Sequence, residues 1–165
     1  MIYKSLRIGK NGKEFTLYKF QTLLDSTDGN RPFAHLNSYT RFGKFLRKYK
    51  LDEAPQIWNI IKRDMNFVGI RPEEAKSIAI YPEELKKKLL SRRPGWFSLS
   101  GLYFLHEEDI LKESLNPYKD YWTKIRQLKL VLDLFYLENR GILLDLWIIY
   151  NGLKKMIHEA TDSTE

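Results

Sequence analysis

"LDEAPQIWNIIKRDMNFVGIRPEE", residues 51–74, sets two adjacent carboxylates, Asp52 and Glu53, ahead of a proline and an apolar run that stops at a Gly/Pro turn carrying Arg71. Pro55 is tolerated only in a first helical turn, where its missing N–H costs no internal hydrogen bond, so the spacing predicts a helix starting close to Asp52. Ala54, Ile57, Trp58 and Ile61 recur at helical spacing and are expected to face the core, with Asp52, Gln56, Asn59 and Arg63 along the opposite, polar stripe. Glu53 projects about a third of a turn from Asp52, so the two carboxylates can serve different neighbours.

Outward from that stretch the chain reads as helix-rich. Residues 2–20 carry Asn11-Gly12 between short β-forming segments, which predicts a β-hairpin with a two-residue turn. Residues 24–38, rich in Asp, Ser, Gly, Asn and Pro, predict an exposed loop. Thr40 is placed to cap a helix that buries Phe42, Phe45 and Leu46 and turns Arg41, Lys44, Arg47 and Lys48 towards solvent or an anion. Residues 73–90 read as helices broken at Pro82, residues 96–105 as β-prone, and 118–139 and 142–158 as two amphipathic helices split at Arg140-Gly141. The expectation is an α/β fold: one compact, helix-rich domain over residues 1–165, with a small N-terminal β-hairpin and C-terminal amphipathic helices.

Composition narrows the chemistry. The absence of cysteine excludes disulfides and thiolate metal sites, and His35, His106 and His158 are too scattered for a zinc cluster. A net charge of +7 favours an anionic partner: nucleotide, phosphate, nucleic acid or acidic lipid. The most apolar stretch, residues 141–153, contains Asp145 and falls short of the roughly 20 apolar residues of a spanning helix. With no signal peptide ahead of it, the chain is expected in the cytosol or resting on a membrane from the cytosolic side. The last helix, with Trp147, Tyr150, Lys154 and Lys155, suits either a membrane surface or a packing face.

An Asp at a helix start is commonly a cap. The same N–H groups and dipole keep it ionised, and an ionised Asp facing a phosphorus can act as a nucleophile forming an acyl phosphate. Attack on a diphosphate also calls for charge neutralisation, for which Glu53 is a candidate Mg²⁺ ligand and Arg71 a phosphate fork. Glu53 as a solvated first-turn acid, Arg71 as the partner of Glu73 or Glu74, and Lys19 as strand-edge charge remain the plain alternatives. Asp133, inside "LKLVLDLFYLEN", has apolar neighbours and needs either a buried partner or an active-site role.

The runs "RIGKNGKEFTLYKFQTL", "TRFGKFLRKYKLDEAPQIWNIIKRDMNFVGIRP", "RRPG" and "LDLFYLENRGILLDLWII", in that order, resemble the catalytic domain of bacterial sugar transferases, the monotopic phosphoglycosyl transferases. The resemblance is densest over residues 8–23 and 40–72. It implies transfer of a phospho-sugar from a nucleoside diphosphate sugar, usually a UDP-sugar, to a polyprenyl phosphate, releasing UMP and starting glycan assembly. It also implies Asp52 as nucleophile, Glu53 as partner of a Mg²⁺ cofactor, and Lys19, Arg47, Arg71, Asp133 and Tyr136 as substrate-binding residues. The implied partners are the UDP-sugar, the polyprenyl phosphate and the cytoplasmic face of the cell membrane, with no nucleic acid; oligomeric state is not legible.

Three departures stand out. The family's re-entrant membrane helix is not among these residues, which leads to the expectation of a peripheral position. Ile70 stands where the family has Pro before Arg-Pro, and the family's "RPGITGWAQVNGR" has become "RPGWFSLSGLYFL", departing after Gly95. The alternative that these changes raise is a catalytically silent sugar-nucleotide-binding or regulatory relative.

Overall fold

The computed structural model describes residues 1–22, 40–49, 51–104, 111 and 114–162. The expected loop over 24–38 lies outside the described residues. The chain opens with strands β1 (Ile2–Ile8) and β2 (Glu14–Phe20), antiparallel in a register running from Ile2 opposite Phe20 to Ile8 opposite Glu14. The hairpin is as expected but its turn is not. That register leaves Gly9 to Lys13 as the connection, a 3₁₀ turn in which Asn11 (φ 57°) and Gly12 (φ 78°) supply the left-handed residues. Asn-Gly supplies that backbone shape in a longer loop as well as in a two-residue one.

Helix α1 (Arg41–Lys48) is capped as expected, the Gly43 N–H donating to Thr40 Oγ1 at 2.7 Å. Of its anticipated core residues only Leu46 is buried; Phe42 and Phe45 stand exposed and stack on each other. A 3₁₀ segment (Leu51–Gln56) then leads into the short helix α2 (Ile57–Ile61). Strand β3 (Asn66–Val68), helices α3 (Ala75–Ala79) and α4 (Glu83–Leu89), and strand β4 (Gly95–Phe97) follow, with β4 parallel to β3. The two strands meet where Gly95 abuts Gly69: a Cβ at Gly95 would sit 2.0 Å from the Gly69 nitrogen. The segment expected to be β-prone, residues 96–105, is therefore β-strand only at its start among its described residues, 96–104. Ser98 accepts from the Gly101 N–H at 3.0 Å and caps helix α5 (Leu99–Tyr103), ending the strand.

Helix α6 (Pro117–Asp120) continues through a π-helical turn (Tyr121–Ile125) into α7 (Arg126–Asn139), and α8 (Ile142–Asp162) follows the expected break at Arg140-Gly141. One core joins Val68, Ile70, Leu89, Leu99, Tyr136 and Ile148, bringing the β3–β4 pair against α7 and α8. A second, of Phe15, Leu17 and Met65 with Ile60 and Trp96, seats the hairpin beside α2.

The largest departure from expectation is the orientation of α2. Asn59 is fully buried and Gln56 nearly so, whereas Trp58 is 52% and Ile61 63% exposed, with Ile57 also open to solvent. The cause is the unpaired edge of β2. Asn59 Oδ1 accepts from the Tyr18 N–H at 3.2 Å and its Nδ2 donates to the Thr16 carbonyl at 2.7 Å, so this amide takes the place of a neighbouring strand.

Candidate active site

Three elements that are distant in sequence converge on one carboxylate. Lys19, one residue from the end of β2, donates from Nζ to Glu53 Oε1 at 2.6 Å, and Arg71, in the turn after β3, donates from Nη2 to the same oxygen at 2.9 Å. Local sequence explains the placement. Pro55 holds the 3₁₀ segment, whose three residues per turn splay Asp52 and Glu53 by about 120°. The Asn59 bridge fixes β2, and hence Lys19, against that segment. The backbone bond from the Ile8 N–H to the Glu73 carbonyl (2.9 Å) ties the hairpin to the loop that carries Arg71.

Burial alone would raise the Glu53 carboxyl, but the Arg71 and Lys19 charges beside it prevail and hold it well below the usual carboxylate range. Burial lowers the Lys19 ammonium from its usual value, against the pull of Glu53. A 2.6 Å contact between such groups is an ion pair. The Arg71 side chain keeps about half its surface open, so its guanidinium can hold Glu53 and still meet a ligand.

Glu53 and Arg71 border a cavity of about 70 Å³ whose other walls are Trp96 and Phe97 of β4, Leu102 of α5, and Ile148, Gly152, Lys155 and Met156 of α8. A Cβ at Gly152 would lie 2.7 Å from the Phe97 ring, so this glycine lets α8 close on the aromatic wall. Lys155 donates to the Leu102 carbonyl at 2.8 Å and anchors the rim. Reading from the residues alone missed Trp96, Phe97, Gly152 and Lys155 as parts of a site. Trp96 and Phe97 were signalled only by the segment after Gly95, which departs from the pattern the rest of the chain follows; Gly152 and Lys155, on α8, carried no such signal.

The remaining sequence candidates lie elsewhere. Arg47 falls on α1, its side chain outside the described residues. Asp133 is buried on α7 and borders a small cavity, about 20 Å³, that also meets Arg71, Glu73 and Arg126. Its carboxyl is pushed up to about 7 by burial, with Ser100 pulling it down and Glu73 pushing further up. Tyr136 is buried with its hydroxyl donating to Asp145 Oδ1 at 2.8 Å, a bond between α7 and α8, and it borders a different cavity. Burial and that acceptor raise the phenol. Lys19, Glu53 and Arg71 thus come together, with Asp52 next to Glu53 in the chain and its charge acting on Lys19; Asp133 shares a small cavity with Arg71, and Tyr136 is part of the α7–α8 junction.

The donor set suits Mg²⁺. Both described bonds to Glu53 fall on Oε1, leaving Oε2 for another ligand, and Asp52 is adjacent. Mg²⁺ is typically held by one or two carboxylates with substrate phosphates and water completing the shell.

The sequence profile of one family, bacterial sugar transferase, matches residues 1–159. The chain belongs to the bacterial sugar transferase family. Among similar members is the uncharacterized sugar transferase EpsL of Bacillus subtilis, 30% identical over 161 residues that cover 95% of this chain and 70% of EpsL. The UDP-N-acetylgalactosamine-undecaprenyl-phosphate N-acetylgalactosaminephosphotransferase of Aeromonas hydrophila is 27% identical over 92% of this chain and 34% of its own length. The undecaprenyl-phosphate galactose phosphotransferase of Salmonella typhimurium is 29% identical over 73% of this chain and 28% of its own. This bacterial sugar transferase chain therefore spans about a third of the longer relatives.

Proposed function

We propose that the protein transfers a phospho-sugar from a UDP-sugar to a polyprenyl phosphate at the cytoplasmic face of the membrane, through a covalent intermediate on Asp52. The observation that carries this reading is the Lys19–Glu53–Arg71 cluster beside Asp52, at the mouth of a cavity with aromatic walls. The names of the Aeromonas and Salmonella relatives support the acceptor class.

In the first step an Asp52 carboxylate oxygen attacks the β-phosphorus of the donor. The bond from that phosphorus to the bridging oxygen breaks, and UMP leaves with the electron pair. Arg71, already oriented by Glu53, grips the non-bridging oxygens as charge builds on them. Lys19 balances the Glu53 charge and keeps that carboxylate aimed at the same site. Mg²⁺, when bound, supplies further neutralisation at the diphosphate, and Glu53 is the residue to hold it. In the second step a phosphate oxygen of the polyprenyl phosphate attacks the same phosphorus, the acyl phosphate bond breaks, and the Asp52 carboxylate is regenerated.

The test is turnover with a panel of UDP-sugars and polyprenyl phosphate, reading the lipid-linked product. The wild-type protein forms it with at least one donor, excess EDTA abolishes it, and added Mg²⁺ restores it. Lipid-linked product at an undiminished rate in EDTA overturns the metal assignment, and no product with any donor overturns the function.

A further inference from the structure

Away from the dyad, a cavity of about 360 Å³ opens between β3 and the α7–α8 junction. It shares no lining residue with the cavity that Glu53 borders, whereas Ile70 and Arg92 also line the small cavity that meets Arg71. Arg92 and Arg93 enter it from the turn before β4, and Arg140 from the corner between α7 and α8. The turn is held firmly: the Asn66 N–H donates to the Pro94 carbonyl at 2.8 Å and the Gly95 N–H to the Ile70 carbonyl at 2.8 Å.

No ion pair joins any of these arginines to another described residue. Asp145 is the one carboxylate in the lining; its Oδ1 accepts from the Tyr136 hydroxyl and it forms no ion pair with these arginines, so three positive charges face a single negative one. Three guanidinium groups around one cavity repel each other until an anion joins them, and their forked donors match phosphate oxygens. The volume lies within the roughly 300–1,000 Å³ of sites for small molecules, larger than a bare ion requires. The lining also carries apolar side chains, Phe67 and Ile149 among them. Further along α8, Ile142, Leu143 and Leu146 stand exposed beside the cavity's own Asp145 and Ile149. A cationic cleft bordered by an exposed apolar helix face matches an amphiphile whose anionic head and apolar chains lie side by side.

We propose that this cavity binds the phosphate headgroup of an anionic membrane lipid, with Arg92, Arg93 and Arg140 as its ligands. The site fixes the rotation of the domain on the surface and is separate from the site of transfer. It deepens the membrane-surface part of the function above and rests on it.

The test is co-sedimentation with phosphatidylcholine vesicles with and without phosphatidylglycerol. Wild-type protein is compared with R93Q/R140Q and with K13Q/K87Q, which removes the same charge from exposed lysines outside the cavity. Removal of two arginines at a lipid contact lowers partition onto anionic vesicles by about tenfold or more. The lysine pair changes it by less than about twofold. Melting temperature checks that each variant is folded, and R140E alone, at the exposed helix corner, serves if the double variant is not. Equal losses in both pairs overturn the site and leave the membrane reading standing. Failure of the wild type to bind any vesicle retires both, while the covalent chemistry on Asp52 is tested independently of lipid. Glycerol 3-phosphate provides the remaining arm: if it raises the wild-type melting temperature through Arg93 and Arg140 while vesicle binding ignores them, the ligand is a soluble phosphate and the lipid assignment is overturned.

Discussion

Burial moves the Asp133 carboxyl from 3.8 to about 7, so the folded protein holds a proton there that the unfolded chain has released. Where the folded state binds the extra proton, stability falls with rising pH; the decline begins near the unfolded value and is complete just above the folded one. Its full size, for a carboxyl carried from 3.8 to about 7, is roughly 4 kcal/mol. Glu53 acts with the opposite sign: its depressed carboxyl adds stability above the unfolded value near 4.5, which is lost on acidification below that. Urea midpoints from pH 4 to 8 for wild type and Asp133→Asn separate the two. The wild type loses ground relative to the variant up to about pH 7 and then runs parallel to it. A constant difference across that range would place the Asp133 carboxyl at an ordinary value. That Asp133 is a buried acid was legible from the apolar residues on both sides of it in α7. Which groups set its charge was not, because Ser100 and Glu73 reach it from other elements. Lys19, Glu53 and Arg71 were legible through their motifs, whereas Trp96 and Lys155 meet only because α8 crosses β4.

At the level of elements, the N-terminal hairpin, the Thr40 cap and the breaks at Pro82 and Arg140-Gly141 could be read in advance, since each rests on a local backbone preference, whereas β3 and α5 were not foreseen. The facing of α2 could not. Residues 51–61 begin as a 3₁₀ segment, so helical periodicity has too few turns to fix a face, and hydrogen bonding decides instead. Asn59 is buried to satisfy a strand edge, and Ile57, Trp58 and Ile61 are turned out as a result. This predicts an inverted ranking of substitutions. Asn59→Leu strands the Tyr18 N–H and the Thr16 carbonyl and costs about 2–4 kcal/mol. Ile57→Ser, on the open face, changes stability by no more than about 0.5 kcal/mol. Chemical denaturation of the two variants gives the order directly, and a costlier Ile57→Ser would return α2 to the orientation expected from periodicity.

For the whole molecule, the turned-out residues of α2 add to a wider pattern. Phe42 and Phe45 of α1 and Ile142, Leu143, Leu146, Trp147 and Tyr150 of α8 are exposed too, on a chain of net charge +7. No helix among the described residues is long and apolar enough to cross a membrane. Helix α8 is a packing face on one side, with Ile148 fully buried in the core, and leaves the other side open, with Leu143 80% exposed; the proposed membrane contact uses that open side. Its two faces are therefore separable. Leu143→Ser with Leu146→Ser lowers vesicle binding several-fold and leaves stability within about 1 kcal/mol. Ile148→Ala costs about 2–5 kcal/mol through the space it empties. Vesicle binding unaffected by the first pair would remove α8 from the membrane contact. The central claim, a phospho-sugar carried on Asp52, is tested most directly without lipid: incubate the protein with Mg²⁺ and UDP-sugars, measure UMP, and weigh the intact chain beside Asp52→Asn. The account predicts a stoichiometric burst of UMP and a phospho-sugar mass increment on wild type alone. UMP released without any mass increment, or an increment that persists in Asp52→Asn, would contradict it.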